Sequence, residues 1–344
     1  MKRVVIPAPG SYDQLELREE PGLEPGPGEL KVAVEACGVN YADVLVRMGL
    51  YKSARAFVGW PVTPGFEVAG RVVARGPGVS EPPLGSAVIA VTLFGGYASE
   101  LVVPTHQAYA LPERFSMEQG AAFPAVFLTA INALEVLGAP RAGDAVLVHS
   151  AAGGVGGAIV QLGRHLGLRV VGVVGSTHKV EAARALGADQ VIDKSCEPLF
   201  ERARSYAPEG YSVVLDANGV ETLGGSYDSL AAPGRLVVYG FHTMLPRRGR
   251  GRPSWPRLAL GWLRTPRFNP LDMTYENRSV MAFNLSTLFH RRELLSELMA
   301  TLLERVARGQ IKAPPTRAFA MEKVADAHRL LESGSSVGKL VLLP

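Results

Sequence analysis

The sequence predicts a two-domain α/β chain, and three observations support this prediction. Residues 1–123 contain short alternating segments separated by turn residues, which is typical of a β-rich domain. From about Pro124, strand and helix patterns alternate, as in a parallel sheet with helices on both faces. Residues 145–157, AVLVHSAAGGVGG, join an apolar strand to a helix through small residues. The length of 344 residues also favours two domains over one.

The β-rich part begins with a clear strand pattern. Residues 29–36 alternate between apolar and polar side chains, as a half-buried strand does. Residues 68–75 and 87–91 predict further strands, and turn signals such as PGPG at 25–28 separate them. Short strands joined by irregular turns, without repeating βαβ units, predict a partly open β-barrel.

The small-residue turn predicts a dinucleotide site. It comprises Ala152, Gly153, Gly154, Val155 and Gly156, between a buried strand and a helix. A glycine at 153 allows a pyrophosphate to approach the backbone, and a glycine at 156 allows the helix to pack closely on the strand. The free N–H groups and the dipole of the helix N-terminus favour an anion. Because alanine replaces the first glycine of GxGxxG, a purely structural tight turn is the alternative.

The remaining elements follow from periodicity and turn signals. After Pro124 the predicted order is helix 127–137, strand 145–149, helix 155–166, strand 169–174, helix 178–186, strand 190–193, helix 199–206, strand 212–216, helix 222–230, strand 235–239 and strand 279–284. Residues 242–275 interrupt this order with a segment rich in proline, arginine and tryptophan. The tail predicts a helix from Arg291, an extended stretch at 317–319, a helix from Met321 and a strand at 339–343, and we expect it to return to the first domain.

Composition excludes several classes of protein. No uncharged apolar run is long enough to span a membrane, and the basic N-terminus precedes only a short apolar segment that predicts a strand. Two cysteines, Cys37 and Cys196, are too few for a disulfide framework, so we expect a cytoplasmic protein. Seven arginines and no acidic residue lie between Arg247 and Arg267, so the positive charge is local and nucleic-acid binding is not favoured.

Several segments together resemble the medium-chain dehydrogenase/reductase superfamily, in its zinc-independent quinone oxidoreductase branch. They are GVNYADVLVRMGLY (38–51), PVTPGFEVAGRVV (61–73), FPAVFLTAINAL (123–134), HSAAGGVGG and VGKLVLLP. Residues 264–286 are most similar to the vesicle amine transport protein subgroup of that branch. The resemblance implies a GroES-like barrel domain from residues 1–123 and 288–344. It also implies a doubly wound Rossmann domain from 124–287, with an insert at about 242–275.

The resemblance also bears on metal binding. Zinc-dependent members of the superfamily hold their catalytic ligands at positions that align with Asn40, Phe66 and approximately Ala125. These residue types cannot together form a zinc site. The seven histidines show no spacing typical of metal ligands; they are His106, His149, His165, His178, His242, His290 and His328. No metal is therefore expected.

The segment after the second predicted Rossmann strand indicates NADPH. An NAD-selective domain has an acidic residue there, but this chain has Gly175, Ser176 and, slightly later, Lys179. A serine donor and a lysine cation suit a 2′-phosphate. Related reductases have a lysine at the position of Lys179 and a tyrosine at that of Lys194, where a second lysine here adds positive charge. A solvated first-turn lysine is the alternative for residue 179.

The nicotinamide end of the cofactor is expected to face the first domain. By resemblance, Asn40 reaches the nicotinamide ribose and Thr129 lies beneath the ring. The other candidate cofactor residues lie at the carboxyl ends of predicted strands or in the closing motif, and they are Asn218, Tyr239, Gly240, Phe241, Phe283, Asn284, Leu285 and Lys339. An ordinary strand-end residue is the alternative for position 284.

Without a metal to polarise an alcohol, an electron-poor acceptor such as a quinone or an α,β-unsaturated carbonyl is favoured. The acceptor oxygen then needs a hydrogen-bond donor and a proton. Tyr51, which aligns with a tyrosine near the substrate of related reductases, and Asn40 are the candidate catalytic residues, and Tyr41 is a weaker one. A packing role is the alternative for Tyr51.

The basic insert has several interpretations. Residues 247–267 combine arginines with an apolar cluster that includes Trp255 and Trp262, so an anionic membrane surface is one possible partner. A flap over the substrate cleft or a packing loop is the simpler interpretation. The alternative function is therefore an NADPH-binding protein that acts at a membrane surface with little catalysis. The edge strand 279–285 is expected to pair across a two-fold axis in a homodimer.

Overall fold

The computed structural model describes residues 1–244 and 251–344. Within these ranges the strands are β1 Lys2–Val5, β2 Glu16–Glu19, β3 Glu29–Val39, β4 Glu67–Arg75, β5 Ala87–Val91, β6 Glu100–Pro104, β7 Ala108–Ala110, β8 Ala145–His149, β9 Arg169–Val174, β10 Gln190–Asp193, β11 Tyr211–Asp216, β12 Leu230–Val238, β13 Arg278–Ala282, β14 Thr316–Ala320 and β15 Lys339–Leu343. The α-helices are α1 Tyr41–Arg47, α2 Lys52–Phe57, α3 Met117–Ala121, α4 Pro124–Ile131, α5 Gly154–His165, α6 Val180–Leu186, α7 Leu199–Tyr206, α8 Leu223–Asp228, α9 Trp255–Arg264, α10 Pro270–Glu276, α11 Arg292–Ala307 and α12 Val324–Glu332.

The predicted Rossmann sheet is present. In the described part of the chain it has six parallel strands in the order β10-β9-β8-β11-β12-β13. Every residue of β8 is buried, because helices cover both faces of the sheet. The strand order reverses between β8 and β11, and ligands bind open α/β sheets at the carboxyl ends of strands beside such a reversal. The glycine turn follows β8 at that point.

The β-rich part forms the second main sheet, a partly open barrel. Its strands follow the order β14-β15-β3-β4-β5-β7, with β6 also paired to β3. The last strand, β15, lies antiparallel to β3, with Leu340 opposite Val39. The tail therefore returns to the first domain, as expected. This return pairs Gly338 with Gly153 and places Lys339 beside Gly154, so the barrel and the Rossmann sheet meet at the glycine turn, and we call this meeting region the cleft.

Some predicted boundaries differ from the structure. The helix predicted at 127–137 begins at Pro124, a residue favoured in a first helical turn, and becomes a π-helix over Asn132–Gly138. The strand predicted through Asn284 ends at Ala282, because the Asn284 side chain caps a 3-10 helix at Leu285–Leu288. The predicted insert contains α9 and most of α10. Its arginines at 247, 248 and 250 lie outside the described residues.

Helix α11 packs on α4 rather than on the barrel strands alone. Its buried residues Leu298, Met299 and Leu302 belong to the same hydrophobic core as Phe127 and Ile131 of α4. Helix α11 also contacts the barrel residues Thr105–Gln107, so the first part of the tail lies against both parts of the chain, whereas β14 and β15 join the barrel sheet. The domain boundary at residue 288 stays a prediction.

Candidate active site

The glycine turn has the geometry of an anion cradle. Ser150 adopts a left-handed conformation with φ of 57°, and Gly153 is the extended residue before α5. A Cβ at Gly156 would lie 2.2 Å from the Ser150 carbonyl oxygen, so the tight packing of helix on turn requires glycine there. At Gly153 the nearest atom to such a Cβ is 3.2 Å away. The first N–H groups of α5 are thus approachable by a phosphate.

A buried hydrogen-bond network supports this turn. The Ser150 hydroxyl donates to Asn218 Oδ1 at 3.2 Å, and Asn218 Nδ2 lies 3.2 Å from His149 Nδ1. On the other side of its ring, His149 Nε2 lies 2.9 Å from the hydroxyl of Ser226, which donates to Asp216. Burial lowers the pKa of His149, so its ring is neutral and links the two strand ends. Asn218 lies under the turn, and its contact with a cofactor stays a prediction.

The predicted 2′-phosphate residues lie together at the end of β9. Ser176 precedes a 3-10 helix that ends at Lys179, and the Lys194 side chain passes beside Gly175. The Nζ of Lys179 donates to the carbonyl of Gly334 at 2.5 Å. No sequence pattern predicts this contact with residues 333–338, which reach the loop after β9 from the far end of the chain.

An acidic residue also lies in this region, but its carboxylate is already satisfied. Asp193 accepts hydrogen bonds from the Thr177 hydroxyl at 2.6 Å and from the Ser195 hydroxyl at 2.6 Å. Although burial opposes ionisation, the hydrogen bonds from Ser195 and Thr177 lower the pKa of Asp193 to about 2. Asp193 therefore fixes the loop that carries Lys194.

Further candidate residues lie where the carboxyl ends of β12 and β13 meet the cleft. The hydroxyl of Tyr239 is buried and has no hydrogen-bond partner among the described residues. Burial raises the pKa of Tyr239, so it is a neutral donor. Phe241 is exposed, and Phe283 is held by a backbone hydrogen bond to Val238. The unpaired hydroxyl and the open approach at Gly153 fit a dinucleotide along this edge.

A buried ion pair occupies the centre of the cleft. Lys339 Nζ lies 2.6 Å from Glu67 Oε1, and both side chains are almost fully buried. Asn40 bridges the pair: its Nδ2 donates to Glu67 Oε1 at 2.9 Å, and its Oδ1 accepts from Lys339 Nζ. The other carboxylate oxygen of Glu67 accepts from the backbone N–H of Ala125 at 2.7 Å. One carboxylate thus joins α1, α4 and β15.

A second polar chain runs beneath α1. Asp43 accepts from the Gly65 N–H at 2.8 Å and from the Tyr97 hydroxyl at 3.0 Å. His328 connects Tyr97 to Arg47, with Nε2 3.4 Å from the Tyr97 hydroxyl and Nδ1 3.2 Å from the Arg47 guanidinium. Because a guanidinium only donates, Nδ1 accepts and the proton lies on Nε2. His328 is therefore neutral, and burial together with Arg47 holds its pKa well below the usual value.

This geometry predicts a pH dependence of stability. An unfolded histidine takes up a proton below about pH 6.5, whereas folded His328 does not, so its contribution to stability is lost as the pH falls below that value. Burial raises the pKa of Asp43 to about 7. This carboxyl group therefore adds to the free energy of unfolding as the pH falls from about 7 to 4, which is opposite to the effect of His328. The comparison of wild type with His328→Asn isolates the histidine. Denaturant unfolding should show the stability difference narrowing by roughly 1.4 kcal/mol per pH unit below pH 6.5; a constant difference would contradict the assignment.

Tyr51 connects the barrel to the Rossmann side of the cleft. Its hydroxyl donates to Asn284 Oδ1 at 2.9 Å, and its ring packs edge-on against Phe66 with centroids 5.8 Å apart. Beside it, the buried hydroxyls of Ser53 and Ser286 are 2.6 Å apart. The Thr129 hydroxyl donates to the Ala125 carbonyl of its own helix at 2.7 Å. Tyr41 donates to the carbonyl of His242 at 3.3 Å.

The structure brings some of the predicted residues together, and the roles of all of them stay predictions. The members with contacts at the cleft are Asn40, Tyr51, Thr129, Gly153, Gly154, Asn284 and Lys339. Glu67 was missed, although its charge within the apolar run PGFEVAG is a signal, since carboxylates are rarely fully buried without a partner. The Asp43–Tyr97–His328 chain has no comparable signal in the sequence.

Comparison with known proteins adds to this geometry. A family profile described as alcohol dehydrogenase GroES-like domain matches residues 26–113, and one described as zinc-binding dehydrogenase matches residues 186–342. The synaptic vesicle membrane protein VAT-1 homolog of Homo sapiens is 34% identical over 346 residues, covering 100% of this chain and 86% of the human protein. The chain belongs to the medium-chain dehydrogenase/reductase superfamily.

Within this superfamily, the chain belongs to the quinone oxidoreductase branch and is similar to VAT-1. The Escherichia coli quinone oxidoreductase, solved in complex with NADPH, has a TM-score of 0.86 and 28% identity, with 100% of both chains covered. CurK enoyl reductase has a TM-score of 0.85 and 27% identity, covering 99% of this chain and 98% of the other. In the described residues, no helix is both long and apolar enough to cross a membrane.

The name of the second family profile mentions zinc, but the residues present do not fit a zinc ion. Of the three aligned ligand positions, Phe66 and Ala125 have no donor side chain, and the amide of Asn40 is bonded to Glu67 and Lys339. The cation at this place is the ammonium group of Lys339. Among the described residues, no group of three histidine, cysteine or acidic side chains could hold a metal. The expectation of a zinc-independent reductase fits this donor set.

Proposed function

We propose that the protein is an NADPH-dependent reductase of quinones or α,β-unsaturated carbonyls. One observation supports this most strongly: a single cleft joins an anion cradle, a buried Lys339–Glu67 pair in place of metal ligands, and an aromatic wall. The quinone oxidoreductase and enoyl reductase neighbours support the same reaction class. Such acceptors are electron-poor and need no Lewis acid to accept electrons.

The residues of the cleft suit distinct parts of NADPH. We assign the pyrophosphate to residues 152–156 and the 2′-phosphate to Ser176, Lys179 and Lys194. Gly175 is assigned to the 2′-phosphate end, beside Lys194. The residues assigned to the nicotinamide end are Asn40, Thr129, Asn218, Tyr239, Gly240, Phe241, Phe283, Leu285 and Lys339, and Asn284 lies between this end and the acceptor. Bound NADPH supplies a hydride, and with one proton from solvent a quinone becomes a quinol as NADPH becomes NADP⁺.

The acceptor is assigned to the aromatic wall on the barrel side. Tyr51, Trp60, Phe66 and Phe94 pack around one apolar cluster, and the rings of Phe66 and Phe94 are 5.3 Å apart. A flat unsaturated acceptor suits such a wall, because aromatic faces favour stacked or edge-on contacts with other rings. Tyr51, which packs on Phe66, and Asn40, which bonds to Glu67, are the proposed site residues at this wall.

The test is NADPH oxidation by the purified protein with a panel of quinones and enones, with NADH as the cofactor control. We expect turnover of at least one acceptor class and a clear preference for NADPH. If the protein binds NADPH but reduces none of the panel, the catalytic proposal is wrong and the binding-protein alternative is favoured.

Replacing Lys179 with alanine is expected to raise the Kd for NADPH about tenfold or more, because a charge-assisted hydrogen bond contributes roughly 1.5–3 kcal/mol. Binding of NADH, which lacks the 2′-phosphate, should change little. Fluorescence titration of both cofactors measures the ratio. Lys323→Ala, at an exposed lysine outside the cleft, is the control. An unchanged NADPH/NADH ratio in Lys179→Ala would remove this residue from the 2′-phosphate site.

A second candidate function is interaction with an anionic membrane surface. On α9, Trp255, Trp262 and Leu263 are 70%, 67% and 69% exposed, and Arg257 and Arg264 lie on the same helix. Exposed aromatic and apolar side chains beside arginines are typical of helices that lie in an anionic lipid interface. Co-sedimentation with phosphatidylserine vesicles at moderate salt tests this. Binding that is lost in Trp262→Ser/Leu263→Ser supports it, and no binding by the wild type contradicts it.

We also propose a cytoplasmic homodimer. Strand β13 pairs only with β12 among the described residues and so presents an open sheet edge. Next to it, Leu271 and Tyr275 of α10 are strongly exposed. Pairing of two β13 edges would cover this surface. Light scattering measures the molar mass in solution, which should be twice that of one chain.

A further inference from the structure

The amide of Asn284 has a fixed orientation. Its Oδ1 accepts hydrogen bonds from the Ser286 N–H at 3.1 Å, the Ser286 hydroxyl at 3.0 Å and the Tyr51 hydroxyl at 2.9 Å. A backbone N–H can only donate, so the oxygen and not the nitrogen must face Ser286. The Nδ2 group therefore points away from these partners, and no described residue accepts its hydrogens.

The hydroxyl groups of Ser53 and Ser286 hold this amide in place. Because the Ser286 hydroxyl donates to Asn284, the hydroxyl of Ser53 must donate to Ser286 across their 2.6 Å contact. Ser53 and Ser286 are each only 4% exposed. Hydrogen bonds from Ser53 of α2 and from Tyr51, just before α2, thus hold the loop after β13, while Asn284 itself is exposed. A donor held by buried partners and open to the cleft is preorganised for a ligand atom.

The role of Tyr51 differs from the donor role of Asn284. Its hydroxyl hydrogen is directed at Asn284 Oδ1, which has no hydrogen to return. Burial raises the pKa of Tyr51, which keeps the phenol neutral. With its hydrogen engaged in this way, Tyr51 orients the amide rather than delivering a proton.

The position of the Asn284 amide determines which ligand it can contact. It lies between the carboxyl end of β13, on the side assigned to the cofactor, and the wall formed by Tyr51 and Phe66, assigned to the acceptor. Resting on the proposed function, we infer that Asn284 Nδ2 is the hydrogen-bond donor to the carbonyl oxygen of the quinone or enone, and that Tyr51 and Ser286 are positioning residues. When hydride adds to the acceptor, a π-electron pair of the acceptor moves onto the carbonyl oxygen. The Nδ2–H group of Asn284 stabilises the negative charge on this oxygen until solvent supplies a proton.

The variant that tests this is Asn284→Asp. It keeps an acceptor oxygen for Ser286 and Tyr51 but replaces the donor nitrogen with a second oxygen. Loss of one preorganised donor should lower kcat about 10²-fold, with the NADPH Kd unchanged. Tyr51→Phe should lower kcat only about tenfold and should leave the pH dependence of kcat at alkaline pH the same as in the wild type. A changed alkaline pH dependence in Tyr51→Phe, or a kcat of Asn284→Asp within about threefold of wild type, would overturn the inference.

A binding measurement separates this inference from the reaction itself. 4-Nitrophenolate, a coloured mimic of a reduced acceptor, should bind the protein–NADP⁺ complex at least tenfold more weakly in Asn284→Asp. If wild type reduces no acceptor but shows this difference, the proposed function is wrong and the donor assignment stands. If the variant instead binds NADPH tenfold more weakly and 4-nitrophenolate normally, Asn284 contacts the cofactor and the inference is wrong.

Discussion

Replacing Lys339 with methionine is expected to lower the free energy of unfolding by about 3–5 kcal/mol, because it leaves a buried carboxylate without its cation. Lys339 and Glu67 are 4% and 0% exposed and 2.6 Å apart, so water cannot replace the lost ammonium. Asn40 would also lose its contact with the ammonium, and its orientation at the head of α1 with it. Urea unfolding followed by far-ultraviolet circular dichroism measures the loss.

The matched control removes both charges at once. Glu67→Gln/Lys339→Met keeps the side-chain volumes. The amide oxygen of the new glutamine accepts from Ala125 N, and its nitrogen donates to Asn40 Oδ1 once the Asn40 amide, released from Lys339, turns over. Because neutral partners avoid the cost of an isolated buried charge, the double variant should regain most of the stability. A double variant less stable than Lys339→Met would contradict this account of the cleft.

Replacing Gly156 with alanine is expected to cost about 3 kcal/mol of unfolding free energy, since a well-packed site has no space for an added carbon. The new Cβ would lie 2.2 Å from the Ser150 carbonyl oxygen, which is backbone and cannot rotate away. Movement of the turn would also misdirect the first N–H groups of α5. The Kd for NADPH should therefore rise on the order of a hundredfold, equivalent to about 2.7 kcal/mol.

Gly224→Ala is the control for this change. Gly224 lies in helix α8, and no atom lies within 4 Å of an added Cβ. Alanine there should leave NADPH binding unchanged and raise stability by a few tenths to about 1 kcal/mol. If Gly156→Ala behaved like Gly224→Ala in thermal unfolding and in cofactor titration, the proposed cradle at 152–156 would be wrong.

The local features of the nucleotide-binding half were predictable from the sequence. Strands 145–149, 169–174 and 190–193 lie where they were predicted, because buried parallel strands are continuous apolar runs bounded by turn residues. The need for glycine at position 156 was also predictable, because it depends on the packing of neighbouring residues in the turn and the helix. The strand predicted to reach Asn284 stops at Ala282, because a side-chain cap on the 3-10 helix outweighs the apolar pattern.

The candidate site was only partly predictable. The motif and the family resemblance indicated Asn40, Tyr51, Asn284 and Lys339 one by one. Neither indicated that Lys339 would meet Glu67, or Tyr51 meet Asn284, since these pairs are far apart in the chain. The contact between Lys179 and Gly334 is of the same kind.

The sequence by itself determined the glycine turn and the individual strands and helices that define the α/β class, because each depends on residue types within one short segment. The lack of a zinc ligand set followed from the residue types at three aligned positions. Tertiary structure decided which polar groups share the cleft. The return of β15 to β3 buries Lys339 against Glu67, and the loop after β13 brings Asn284 to Tyr51. A buried charge or an oriented amide is defined by partners from distant segments, so its role is set only when the chain has folded.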